Sequence, residues 1–275
     1  MVAFTASKFF KACCYYFLFN VSLSDNDFDN IIQEYYKYIY TNHFAKNIRE
    51  KSPIENHNKC AIITGGIPGI GKGFVMKDKT TRKQLFEELL TNNLPNHDTG
   101  NFARSHSSNK NFDHYITVDP DKIFNLTMRF FNSKGAEHTI LVHNNTGPFR
   151  EIINFLNHQF FGYVLHSNNN LIFDGSARDA KNVCGRAVVP CIKNNYHVAF
   201  IFVTGVTDLT YLQNIDNRAN TEGRDTDLDF VRSSAVGIKN SIDKYYNYVK
   251  ETNNCKIILV KKINQQEYSI HNLDD

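Results

Sequence analysis

The sequence predicts an α/β fold: a three-layer arrangement with a mainly parallel five-stranded sheet and helices on both faces. Two observations carry this. Five short runs, 60–64, 115–118, 171–173, 198–203 and 257–260, are apolar without alternation, as strands buried on both faces are. The stretches between most of them repeat apolar residues at three- and four-residue steps, as helices crossing from one parallel strand to the next do.

In chain order, residues 1–57 are expected to form an N-terminal helical appendage. Lys8 and Lys11 precede an apolar run at 12–19 that is too short to span a bilayer. A signal peptide is the alternative, but no small-x-small cleavage site follows cleanly, so an amphipathic or docking helix is the expectation. Ile31, Ile32, Tyr35, Tyr36 and Ile39 form a helical stripe. The main domain is expected over 58–265. Its first strand stops at Gly65-Gly66, and a helix is expected from Lys72 to about Leu90. Residues 91–113 are polar and read as a loop insertion. The second strand ends at Asp119-Pro120-Asp121, and a helix follows through Ile123, Leu126 and Phe130. Phe149, Ile152, Ile153, Leu156, Phe160, Tyr163 and Val164 predict a helix over 149–165. The third strand ends at Asp174-Gly175. Residues 178–193 read as helical, with Pro190 near the end. A last helix is expected over 226–249, starting near Thr226 or Asp227. Residues 266–275 are expected to be a C-terminal tail.

Composition narrows the classes. The 275 residues are 41% hydrophobic and 21% charged, the balance of an ordinary globular protein. A net charge of +3 without a dense Lys/Arg cluster gives no strong nucleic-acid signal. The six cysteines form no CxxC pair and read as reduced thiols of a cytoplasmic protein. No membrane span is expected.

The loop after the first strand bears the chemistry. Gly66-Ile67-Pro68-Gly69-Ile70-Gly71-Lys72-Gly73 matches G-x-x-x-x-G-K, the phosphate-cradling P-loop pattern, up to its last position. Glycines let a backbone turn its N–H groups toward an anion, the following helix adds its positive end, and Lys72 supplies a full charge. This predicts a P-loop NTPase fold binding a nucleoside triphosphate. Gly73 stands where a hydroxyl usually meets Mg²⁺, so the metal must rely on water and carboxylates.

Ligands in parallel α/β sheets bind at the carboxyl ends of the strands, and two further acidic ends lie there. Asp119 suits a base that takes or orients an acceptor's proton, with Asp121 beside it. Asp119 also suits a helix cap with Pro120 at the first helical position, and both roles can hold together. Asp174, ending an apolar strand, suits the Mg²⁺ side of a phosphate loop, or a turn before Gly175. Arg218 and Arg224, in a polar segment between helices, suit phosphate clamps or solvated surface charges.

The ordered set resembles a known family. The loop's G-x-P-G-x-G-K-G is similar to that of adenylate kinases. The loop, then Val118-Asp119-Pro120-Asp121, then Phe173-Asp174-Gly175-Ser176, then Arg218-x4-Gly223-Arg224, resembles the zeta-toxin family of P-loop kinases over about residues 58–250. That resemblance implies a loop holding ATP, or GTP in some members, Asp119 as base, and Arg218 and Arg224 on phosphates. It also implies Glu151 as the nearest match to a substrate-contacting acid, and an inhibitory protein partner. Bacterial members phosphorylate a UDP-linked N-acetylated amino sugar. Three positions depart from the pattern: Gly73, Ser176 where Thr is usual, and Asn214 where an arginine is frequent. The function expected is transfer of a γ-phosphoryl group to a hydroxyl of a small-molecule acceptor. The alternatives are a polynucleotide or nucleoside-monophosphate kinase, and a nucleotide-binding module impaired in catalysis.

Overall fold

A computed structural model describes residues 25–51, 59–78, 80–81, 83–85, 87, 114–133, 148–205, 210–222, 228–252, 255–262 and 268–272. Residues 25–28, 132, 148–151, 210, 218–222, 262 and 272 are described by backbone alone. The apolar run at 12–19, the insertion at 91–113 and Arg224 lie outside the described residues.

Helix α1 (Asp25–Ile39) continues through a π-helical segment (Tyr40–Ala45) into a last turn at Lys46–Arg49. Then come β1 (Lys59–Gly65), the one-turn α2 (Lys72–Val75), β2 (Ile116–Val118), α3 (Pro120–Ser133) and α4 (Pro148–His166). They are followed by β3 (Leu171–Phe173), α5 (Ala180–Val183), a π segment (Cys184–Val188), α6 (Val189–Lys193) and β4 (Tyr196–Thr204). Helices α7 (Thr210–Glu222) and α8 (Leu228–Glu251), then β5 (Cys255–Lys262) and β6 (Tyr268–Asn272), are the last elements among the described residues.

The sheet has six strands in the order β2-β3-β1-β4-β5-β6. The first five run parallel, and β6 is antiparallel to β5. Every residue of β1 is buried, because it lies in the middle of the sheet with both faces covered. The period-two pleat divides its side chains. Ala61 and Ile63 enter a large apolar cluster with α1, α3, α4, α6 and α8. Cys60 and Ile62 enter a smaller one with Ile70, Val75, Leu85 and Tyr115.

Three expectations change. The sheet has six strands, not five. Residues 268–272, expected as tail, pair with β5 and place Tyr268 and Ile270 against the smaller cluster. The helix expected from Lys72 to Leu90 breaks after one turn. Asp78 accepts from both the backbone N–H (2.9 Å) and the hydroxyl (3.0 Å) of Thr81, a cap that starts a fresh helical stretch. Arg218 does not lie between helices: it falls within α7.

The N-terminal stripe packs where its spacing predicts. Tyr35, 1% exposed, packs on the rings of Phe130 and Phe131, and its hydroxyl meets the Thr127 hydroxyl at 2.8 Å. All three partners are on α3, so α1 is fastened to the helix that starts beside Asp119. Cys60, Cys184, Cys191 and Cys255 are free thiols. Burial pushes the Cys60 thiol up to about 12, which makes it chemically quiet.

Tyr35→Phe is expected to cost about 1 kcal/mol by removing the hydroxyl contact. Tyr35→Ala should cost about 3–5 kcal/mol through the cavity it leaves. Urea denaturation measures both, and a loss near zero for Tyr35→Ala would mean that α1 is not docked on α3.

Candidate functional site

The site begins where β1 ends. Beyond Gly65 the chain turns through 66–71 and enters α2 at Lys72. Two glycines are required there. Gly69 has φ +78 and lies so close to the Tyr211 carbonyl that no Cβ fits. Gly71 is left-handed (φ 101, ψ 21), and the right-handed turn of α2 follows it directly. That succession of left- and right-handed residues forms a backbone concavity suited to an anion. Phe74 and Val75 donate their N–H groups to the Gly71 carbonyl at 2.9 and 3.0 Å, and Ile70 donates to Ile67 at 3.3 Å. The Lys72 ammonium folds back across the loop. It donates to the Gly66 carbonyl at 3.0 Å and reaches that of Ile67 at 3.5 Å.

The loop is braced from two sides. On one, α7 leans on it: the Asn214 amide donates to the Gly69 carbonyl at 2.9 Å, and Ile215 is buried beside it. Asn214, which departs from the expected arginine, therefore holds the loop. Arg218 follows one turn along the same helix. On the other side, Gly66 donates its N–H to the Ser176 carbonyl at 3.1 Å.

The segment after β3 is itself strapped to α8. Tyr245 donates its hydroxyl to the Ala177 carbonyl at 3.1 Å, and Ser241 donates to the Arg178 carbonyl at 2.9 Å. Gly237 allows this contact, since a Cβ there would stand 2.9 Å from both the Cβ and the carbonyl oxygen of Arg178. The Arg178 guanidinium lies over the Phe230 ring, 4.6 Å from its centroid.

The carboxylates gather beside the loop. Thr64, near the end of β1, donates its hydroxyl to Asp174 and accepts the Gly175 N–H at 3.3 Å. Asp174 donates its own N–H to the Val118 carbonyl of β2 at 2.9 Å. This brings the ends of β1, β2 and β3 together. Asp119 accepts the Asp121 N–H at 2.8 Å, so it does cap α3, with Pro120 as first helical residue. Burial first, and then the charges of Asp121 and Asp174, push the Asp119 carboxyl up to about 7.

Two residues that the sequence reading passed over belong here. Thr64 joins Asp174 to β1. Lys122 lies within electrostatic reach of both Asp119 and Asp174: desolvation lowers its ammonium pKa, and the two carboxylates oppose that. A hydroxyl at the penultimate position of a buried strand was the available signal for Thr64. Lys122 had none beyond its nearness to Asp119 in sequence. Glu151 is on α4, by backbone position alone. Among the described residues no group of three or more His, Cys, Asp or Glu forms a ready metal cage, and no helix is long and apolar enough to cross a membrane.

The arrangement is an α/β chain with a glycine-rich loop, Gly66 to Lys72, at the carboxyl edge of a mainly parallel sheet. A solved chain of the PezAT chromosomal toxin–antitoxin system of the human pathogen Streptococcus pneumoniae has a similar fold. The TM-score is 0.53 at 11% sequence identity, over 90% of this chain and 81% of that one. At that identity the likeness is one of fold. No family model matches the sequence, and no curated protein is similar to it at a significant level.

The raised Asp119 pKa makes a signed prediction. The folded chain keeps a proton that the unfolded chain gives up above its ordinary value of 3.8. The resulting contribution to stability is full below about pH 4 and is lost as pH rises through about 7. Asp119→Asn should therefore melt several degrees above the unaltered protein at pH 8, with the gap closing by pH 4. Calorimetry across that range checks it, and a gap independent of pH contradicts it.

Proposed function

We propose that this chain is a zeta-toxin-like P-loop kinase that moves the γ-phosphoryl group of ATP or GTP to a hydroxyl of a small molecule. The observation that supports this most is the gathering of Asp119 and Asp174 beside the Gly66–Lys72 loop, with Asp119 tuned close to neutrality. A base is most effective when its pKa lies near the working pH. The fold shared with a toxin–antitoxin chain agrees with the ordered motifs.

In this reading the loop and Lys72 grip the outer phosphates. Asp119 takes the proton of the acceptor hydroxyl as the new O–P bond forms and the bond from the γ-phosphorus to the β-phosphate oxygen breaks. The nucleoside diphosphate leaves. Arg218 and Arg224 neutralise charge on the transferred group, and Asp121 and Glu151 contact the acceptor. Mg²⁺ fits the oxygen donors present, with Asp174, oriented by Thr64, as its protein ligand, and when bound it neutralises phosphate charge. The acceptor is a small molecule, with a nucleotide sugar as first candidate. An inhibitory protein partner fits the same reading. Gly73 favours a second one, a nucleotide-binding module without transfer, because it brings no hydroxyl to the metal.

Three measurements bear on this. In ATP or GTP turnover assays with Mg²⁺ and pooled metabolites, Asp119→Asn should lower kcat by about 10²–10⁴ while nucleotide still binds. Turnover unchanged by that substitution, or binding with none in the unaltered protein, would overturn the kinase reading. kcat/KM should rise with pH and level off above about 7, as Asp119 becomes ionised. A Cβ at Gly73 would meet nothing within 4 Å, so Gly73→Ser should fold normally and strengthen the Mg²⁺ dependence of binding. An unchanged Mg²⁺ dependence would mean that this position does not face the metal.

A further inference from the structure

Phe74 is two residues beyond Lys72, on the one turn of α2, and is 47% exposed. One face of its ring is covered. It stacks on Tyr268 of β6, with centroids 5.9 Å apart and planes 22° from parallel. Tyr268 is itself held against the loop: its hydroxyl would stand 3.2 Å from a Cβ on Gly71. Its ring also packs on the cluster containing Ile70 and Val75. The two rings thus continue the phosphate cradle outward as a flat apolar shelf with one side open.

We propose that Phe74, backed by Tyr268, is the platform on which the base of a purine nucleoside triphosphate stacks. This rests on the nucleotide-binding reading above and adds the subsite for the base. With its phosphates in the loop, a nucleotide places its base one ribose beyond the innermost phosphate. Among the described residues, Phe74 offers an exposed aromatic face two positions beyond Lys72. Gly73 and Phe74 give up both side-chain hydroxyls usual after the lysine, so affinity lost at the phosphates is offset at the base. Aromatic stacking reads no base edge and tolerates any base, with larger rings held better. The short edge strand β6 thereby has a role, since it fixes the second ring.

The test compares ATP with inorganic tripolyphosphate, which carries the same tail and no base. Calorimetry on Phe74→Ala should show ATP affinity falling roughly tenfold, with tripolyphosphate affinity unchanged. The chain has no tryptophan, so Phe74→Trp introduces a single reporter. ATP should quench its emission and tripolyphosphate should not. Unaltered ATP affinity in Phe74→Ala, equal losses for both ligands, or a Phe74→Trp signal blind to ATP would each overturn the platform. If the unaltered protein bound tripolyphosphate but Phe74 proved indifferent, the loop would stand and the shelf alone would fall. If it bound neither ligand, the nucleotide reading would fall first and take the shelf with it.

Discussion

The register of three parallel strands is the constraint on which the rest depends. Ile63 of β1 and Val118 of β2 both stand level with Phe173 of β3. The next residues therefore emerge at one height: Thr64 and the loop from β1, Asp119 from β2, Asp174 from β3. No side chain needs to reach far, because the backbone ladder has already aligned the exits. The Asp174 N–H on Val118 and the Thr64 hydroxyl on Asp174 carry that alignment past the last ladder bonds. A slip of one residue would turn every buried side chain of β3 to the opposite face, so core packing and site geometry are held by the same choice.

The parts of this design that were legible in the sequence are those with strong local patterns. The parallel strands read as unbroken apolar runs because both faces are covered. The loop read from glycine spacing, and the acids read from their places at strand ends. What was not legible depended on tertiary context. Strand β6 packs the half-buried Tyr268 and Ile270 on the smaller cluster, too short a pattern to separate from a tail. Helix α7 is rich in Asn and Asp, and much of its placement comes from Asn214 reaching the Gly69 carbonyl, a partner 145 residues away. The break after α2 depended on which partner Asp78 would choose, something no apolar period records. Asn214 itself looked like a lost arginine, whereas in the fold it braces the loop.

The electrostatics of the site follow from the same gathering. Burial disfavours the charge of Asp119, and the neighbouring carboxylates Asp121 and Asp174 add to the effect, so its carboxyl is pushed up to about 7. Lys122, one turn into α3, partly balances them. Helix α3 is in turn held by α1 through Tyr35 and Thr127. The N-terminal helix therefore bears indirectly on the position of Asp119.

Gly237 carries a different kind of consequence. It lies in the middle of α8, distant in sequence from the Gly66–Lys72 loop, yet it lets that helix abut the backbone of Arg178, and through Ser176 the contact continues to Gly66. A lineage could loosen the loop by enlarging this one residue while leaving every recognisable motif letter intact. Relatives judged by their glycine-lysine signature alone would then be grouped with this chain although their scaffold no longer held the loop.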